Sequence, residues 1–233
     1  MVSMNEPMKN MQGAMDRKTV TANQRIHLTN ERHVVVQLWG TDYFVCIRDF
    51  YMTEENGFFK PCKKGINLPL KQWYEMLQRI KEIEEMISEV YGKFVKETMK
   101  GPLDSNTVSA TSTKRIFLTE NRHVIVQRWY PQLFVCIREY YKTEENGDYK
   151  PGRKGINLPL YQWFEMLKRA NEIEDMVREI KGHDDNDNGK HPDETMGFKR
   201  PESNNENNYS NWLSQPEEDD DDDCDYDCKD TYC

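Results

Sequence analysis

The sequence predicts an α+β protein made of two tandem modules, each a four-stranded antiparallel sheet followed by a C-terminal helix. Three observations lead there. Residues 25–90 align with 115–180 without a gap at a constant offset of 90, and 41 of the 66 positions are identical, so one structural unit occurs twice. Each copy opens with β-branched and aromatic runs and carries an Asn-Gly pair, Asn56-Gly57 and Asn146-Gly147, a strong short-range hairpin signal. After Pro69 and Pro159 the apolar residues fall three and four apart, which is helical spacing.

In copy one the elements follow in order. A short strand near Arg25 to Thr29 precedes a second from Arg32 to Trp39. Phe44 to Tyr51 carries the β-branched and aromatic side chains that suit a half-buried pleated surface. Glu55-Asn56-Gly57 turns the chain, because Asn and Gly tolerate positive φ. Lys60 to Leu68 returns as the last strand, with Gly65 permitting a bulge or a close backbone approach. A helix then runs to about Val90.

That helix has a regular stripe, Trp73, Met76, Ile80, Ile83, Ile87 and Val90, widened by Leu70 and Leu77. Copy two repeats it as Trp163, Met166, Ala170, Ile173, Val177 and Ile180, widened by Leu160 and Leu167. One helix cannot bury both faces of a sheet, and a module of about 70 residues has a small core. The stripe therefore predicts that the modules pair; the other reading is a purely intradomain core. Pairing within one chain, as a pseudo-dimer, is favoured because a tether raises the effective concentration of the partner surface. A homodimer remains open.

Composition sets the boundaries: an N-terminal segment 1–21 expected to be disordered, modules 22–91 and 112–181, a linker 92–111, and an acidic tail 182–233 likewise expected to be disordered. The formal charge of -9 is uneven. From Lys18 to Lys100, 13 Lys/Arg face 11 Asp/Glu; from Lys114 to Lys181, 13 face 10; from Gly182 to Cys233, 4 face 17. The modules are mildly basic, so the acidity of the whole chain does not argue against a nucleic-acid partner. No apolar run suits a bilayer, and no secretory signal is legible. Cys46 and Cys136 read as buried free thiols in strands, and Cys224, Cys228 and Cys233 lack histidines for a zinc site. A reducing nuclear or cytosolic compartment follows, with no cofactor and no metal implied.

The residues that point to chemistry are basic and aromatic. Copy two offers Arg122, Trp129, Arg138, Tyr140, Tyr141, Lys150, Arg153 and Lys154; copy one offers Arg32, Trp39, Arg48, Phe50, Tyr51, Lys60, Lys63 and Lys64. Cations neutralise phosphates while flat rings stack on unpaired bases, a combination suited to single strands. Each has a plainer reading: Phe50 and Tyr140 as core, Arg48 and Arg138 paired with an acidic side chain, the loop cations as solubilising surface. Ideal alternation also places Arg138 and Tyr141 on opposite faces of the strand.

One ordered set is more specific: Ile137-Arg138-Glu139-Tyr140-Tyr141, Asn146-Gly147, Lys150-Pro151-Gly152-Arg153-Lys154-Gly155-Ile156, Leu158 and Gln162-Trp163. With it, residues 22–91 and 112–181 resemble the C-terminal domain of the RNA polymerase II transcriptional coactivator p15 (positive cofactor 4) family. The resemblance implies a curved sheet, dimerised through helices and sheet edges, that binds single-stranded or unwound DNA and assists transcription in the nucleus, with transcription-machinery proteins as further partners. It assigns base stacking to Trp129 and Trp39, a second aromatic position to Tyr141 and Tyr51, and phosphate contacts to Arg138, Lys150, Arg153 and Lys154 and to Arg48, Lys60, Lys63 and Lys64. Arg122 and Arg32 join the same surface.

The chain departs from that pattern in places. Gly40-Thr41-Asp42 and Tyr130-Pro131-Gln132 stand where the family commonly has lysine-glycine-lysine, Asn30 and Glu120 stand at an often basic position, and Cys62 replaces the basic-loop glycine. Each lost phosphate contact lowers affinity and flattens its salt dependence. The alternative is thus an adaptor that keeps the fold without binding DNA. An enzyme finds little support: His33 and His123 lack a neighbouring nucleophile, and Glu82, Glu84 and Glu85 read as solvent-facing. In the tail, Glu217 to Asp223 and the cluster Tyr209-Ser210-Asn211-Trp212-Leu213 are open to competition with DNA, contact with basic proteins, or simple solubility.

Overall fold

The computed structural model describes residues 19–53, 59–99, 110–129, 132–144 and 147–188, without the side chains of Thr98 and 183–188. The expectations for the N-terminal segment 1–18, the tail from 189, the middle of the linker and the turn Glu55-Asn56-Gly57 lie outside these residues. Of the second turn Gly147 is described, with φ 71°.

Module one comprises β1 (Thr19–Thr21), β2 (Ile26–His27), β3 (Arg32–Trp39), β4 (Asp42–Met52), β5 (Phe59–Pro69), α1 (Leu70–Gln78) and α2 (Ile80–Thr98). Module two repeats the plan as β6 (Ala110–Thr111), β7 (Ile116–Phe117), β8 (Arg122–Trp129), β9 (Gln132–Lys142), β10 (Tyr149–Pro159), α3 (Leu160–Lys168) and α4 (Ala170–Asn188). β1 and β2 both pair with β3, so the first position of each four-stranded sheet is filled by two short pieces. β1 and β6 begin before the expected boundaries at 22 and 112, and α2 and α4 run past 91 and 181.

All the strands join one antiparallel sheet, in the order β1-β3-β4-β5-β10-β9-β8-β6. The modules meet where Gly65 on β5 pairs with Gly155 on β10. A Cβ on Gly65 would lie 2.7 Å from the Ile47 carbonyl oxygen and 2.8 Å from the Arg48 Cα, and its φ of 152° disfavours a side chain. Gly155 is held the same way against Arg138. Just before each glycine the last strand bulges: Arg48 faces Gly65 but Phe50 faces Pro61, and Arg138 faces Gly155 but Tyr140 faces Pro151. The extra residues sit on β5 and β10, leaving β4 and β9 in regular alternation.

The expected single helix is broken. Arg79 and Arg169 leave helical geometry (φ -104° and -100°), and each guanidinium grips the carboxylate three residues on, Glu82 or Glu172. The bend turns α2 onto β6 and β8 of module two and α4 onto β3 of module one. The stripe nonetheless continues across it. Trp73, Met76, Ile80, Ile83, Ile87, Trp163, Met166, Ala170, Ile173 and Val177 are all buried, and one core runs from Val34 and Val45 through the helices to Val124 and Val135. Each such large apolar side chain contributes about 1.5–3 kcal/mol by leaving water.

Polar contacts also cross between modules. Glu174, its carboxyl raised chiefly by burial, accepts from Tyr74 Oη (3.0 Å) and Trp73 Nε1 (3.4 Å). Asn23 donates to Glu179, and Thr113 to Glu89. Of the carboxylates expected to face solvent, Glu85 is exposed, whereas Glu82 and Glu84 are half-buried. Cys46 and Cys136 are buried free thiols, pushed up to about 12 by burial.

Candidate nucleic-acid interface

Alternation gives each sheet two unlike faces. Val34, Val36 and Leu38 of β3, with Val45 and Ile47 of β4, face the helices. The opposite, outer face carries a small cluster of Val35, Cys46 and Phe50 in module one, and of Ile125, Cys136 and Tyr140 in module two. Over the second cluster lies an open groove of about 640 Å³, whose lining includes Arg115, Trp129, Arg138, Tyr140, Tyr149 and Arg153. Its volume is in the range of ligand-binding clefts.

Each groove residue is placed by its strand. Trp129 ends β8, is 41% exposed and leans on Phe134 of β9 with ring centroids 5.0 Å apart. Arg138 donates to the Gly152 carbonyl (3.0 Å) and Asn157 Oδ1 (3.2 Å), so the bulge of β10 fixes its guanidinium. Tyr140 is buried, stacks on His123 (4.7 Å, 15°), and lies beneath the Arg115 guanidinium at 4.6 Å. Arg115 also sits 5.6 Å from the Tyr149 ring. Burial holds His123 below the ordinary imidazole range, with Arg115 adding to the effect against the Glu120 carbonyl.

The electrostatics are one-sided. Among the described residues, Arg115, Arg138 and Arg153 make no ion pair with a carboxylate, and no acidic side chain lines the groove. Three guanidinium groups without carboxylate partners among the described residues line a groove that also holds flat rings, which favours an anion bearing planar groups.

Several sequence expectations are corrected. Arg32 and Arg122 do not reach this face. Arg32 pairs with Asp49 (2.6 Å) and donates across the module boundary to the Asn157 carbonyl and Gln162. Arg122 likewise binds Glu139 (2.7 Å), the Asn67 carbonyl and Gln72. Both are spent on joining the modules. Tyr141, 54% exposed, faces away from Arg138 because β9 alternates without interruption, and its strand partner Lys150 shares that rear side. Lys154 approaches Glu139 at 4.0 Å on the same side. In module one, Tyr51 and its partner Lys60 occupy the rear, and Lys64 lies 3.8 Å from Asp49. Arg48 repeats the strap of Arg138, donating to the Cys62 carbonyl and Asn67, while Trp39 stands exposed on the outer face and Lys63 is exposed on the bulge.

Sequence reasoning missed Arg115, His123 as a ring partner, and Tyr149. The signal was present: Arg115 recurs at the repeat offset as Arg25, and Tyr149 lies two residues from Pro151, the partner of Tyr140.

Fold and groove together define a class of protein: duplicated sheet-and-helix modules joined edge to edge, with a basic, aromatic face turned away from the helices. The family model described as Transcriptional Coactivator p15 (PC4) matches residues 26–79 and again 116–169, so each copy of the repeat carries a domain of that family, in tandem duplication. Among curated proteins it is 33% identical over 63 residues to the RNA polymerase II transcriptional coactivator KIWI of Arabidopsis thaliana. It is 35% identical over 63 residues to the coactivator SUB1 of Saccharomyces cerevisiae, and 38% identical over 72 residues to an RNA polymerase II transcriptional coactivator of Drosophila melanogaster. These matches cover 27%, 27% and 31% of this chain and 57%, 22% and 61% of the relatives, less than two thirds of each. No solved structure matches the chain significantly.

Proposed function

We propose that this protein is a single-stranded-DNA-binding coactivator of RNA polymerase II transcription, acting in the nucleus, whose modules pair within one chain and whose groove on module two takes the strand. One observation carries the reading: Arg115, Arg138 and Arg153 stand without carboxylate partners around Trp129, Tyr140 and Tyr149, among the described residues. Phosphates relieve the mutual repulsion of the cations, and a base freed from a duplex stacks on the exposed ring of Trp129. The names of the relatives supply the transcriptional setting and make components of that machinery the expected protein partners.

Titration of a labelled single strand of about 25 nucleotides across a salt series tests this. Three phosphate contacts predict a log–log slope of about -2, and a duplex of the same sequence binds more weakly because its bases are not free to stack. No binding at low salt, with the tail present and with it deleted, would leave the adaptor reading in its place.

A further inference from the structure

We infer that Arg115 is a phosphate-binding residue of the module-two groove, set in place by His123 before any ligand arrives, and that its repeat counterpart Arg25 has no equivalent part in module one. This rests on the strand-binding reading above and names one of the side chains that does the binding.

Hydrogen-bond chemistry fixes the arrangement. His123 Nε2 lies 2.8 Å from the Glu120 carbonyl oxygen, which can only accept, so Nε2 carries the proton. Nδ1 is then a bare lone pair, and it accepts from Arg115 Nη1 at 3.0 Å. The imidazole stacks flat on Tyr140, while Phe117 and Tyr149 meet it edge-on. A clamp of rings thus holds the acceptor that holds the arginine.

Arg115 is half-buried, and among the described residues no carboxylate neutralises it. A guanidinium has five donors, of which this hydrogen bond to His123 uses one. The arginines that stabilise the fold are spent otherwise: Arg32 and Arg122 are paired with acids, and Arg48 and Arg138 donate to bulge carbonyls and asparagines, whereas Arg115 donates to a neutral ring nitrogen. Part of the side chain's rotamer freedom is also surrendered on folding, so a phosphate arriving at this point meets a preorganised donor.

Module one lacks the arrangement although it keeps the residue types. Arg25 is exposed and lies 5.7 Å from the Phe50 ring. His33 Nδ1, the atom that would receive it, is buried without a hydrogen-bond partner among the described residues. His27 stands 4.2 Å from His33 where module two has Phe117, and Phe59 replaces Tyr149.

The test compares the full-length chain with Arg115→Gln, Arg115→Lys, Arg25→Gln and His123→Phe, reading affinity for the 25-nucleotide strand against salt. Arg115→Gln keeps a donor for His123 and removes the charge. It should weaken binding roughly 5- to 20-fold and make the log–log slope shallower by about 0.7, the value of one single-strand phosphate contact. The lysine variant should keep the slope. Arg25→Gln should leave slope unchanged and affinity within about twofold. His123→Phe keeps a ring but no acceptor, and should weaken binding a few-fold with the slope intact. An unchanged slope in Arg115→Gln, beside a wild type that binds, would reduce Arg115 to a clamp on its rings. An equal loss of slope in Arg25→Gln would make the modules equivalent. A wild type that binds no strand would instead overturn the strand-binding reading itself.

Discussion

Module one and module two hold an arginine in the same way, Arg48 on the Cys62 carbonyl and Asn67, Arg138 on the Gly152 carbonyl and Asn157. Around that strap they part. Phe50, Phe59, His27 and Cys62 in the first stand where Tyr140, Tyr149, Phe117 and Gly152 stand in the second. Cys62 is buried, whereas Gly152 opens the groove wall. The common part answers to backbone needs: a bulge, a glycine that admits no Cβ, an arginine satisfying bulge carbonyls. The rings around it are free of those needs and differ between the modules. The framework makes the modules pair; what surrounds it makes them unlike.

The largest expected effect concerns the framework. Met166→Asp and Met76→Asp each put a charge into the shared core, at a cost of about 4 kcal/mol or more. Because α2 and α4 cross over, either variant should lower the denaturation midpoint of the whole folded region in one transition and expand its hydrodynamic size. Two separate transitions, only one of them shifted, would show independent modules. Unchanged size and stability would end the account of the stripe.

Next is the junction. Gly65→Ala and Gly155→Ala should each cost about 3 kcal/mol, because the added carbon meets backbone that cannot move aside. Gly152→Cys, which copies module one into module two, should cost less, about 1 kcal/mol, since its Cβ would meet the Glu139 carbonyl oxygen at 3.0 Å, a tight contact rather than a clash. Equal losses, measured by urea denaturation, would remove the distinction between junction and rim.

Smaller effects sharpen the difference between faces. Trp129→Ala should cost about 1–3 kcal/mol of strand binding, the worth of one stacked base, and Trp39→Ala clearly less. Acid should weaken the fold through both buried histidines. His33 and His123 have folded pKa values below the ordinary 6.5, chiefly from burial. Their stabilisation is therefore complete above pH 6.5 and is lost as the pH falls below it. Denaturation midpoints between about pH 5 and 7 should show this loss, and His123→Phe should flatten the profile.

Much of the fold was legible in the sequence, and the reasons are local. The sequence places a strand at Arg32 to Trp39 and a bulge or close backbone approach at Gly65; both are so. The break at Arg79 was not legible, because no glycine or proline marks it and the apolar spacing runs straight through. It comes from packing across modules, which a periodicity within one segment does not encode. The same limit explains the site. Arg32 and Arg122 look like exposed cations until their acids and the opposite module's carbonyls are in place. The resemblance assigns the second aromatic position to Tyr141, although the alternation that separates it from Arg138 is already visible in the sequence. Arg115, one residue ahead of a two-residue strand, gains its meaning only from His123 and the rings stacked around it.

The central claim is that the strand lies in the module-two groove, and photocrosslinking of a single-stranded oligonucleotide to the intact chain tests it most directly. Peptide mapping should place the adducts on Trp129 and Tyr149, since Tyr140 is covered by His123 and Arg115. Adducts confined to Tyr141, to module one or to the segment after Asn188 would contradict it.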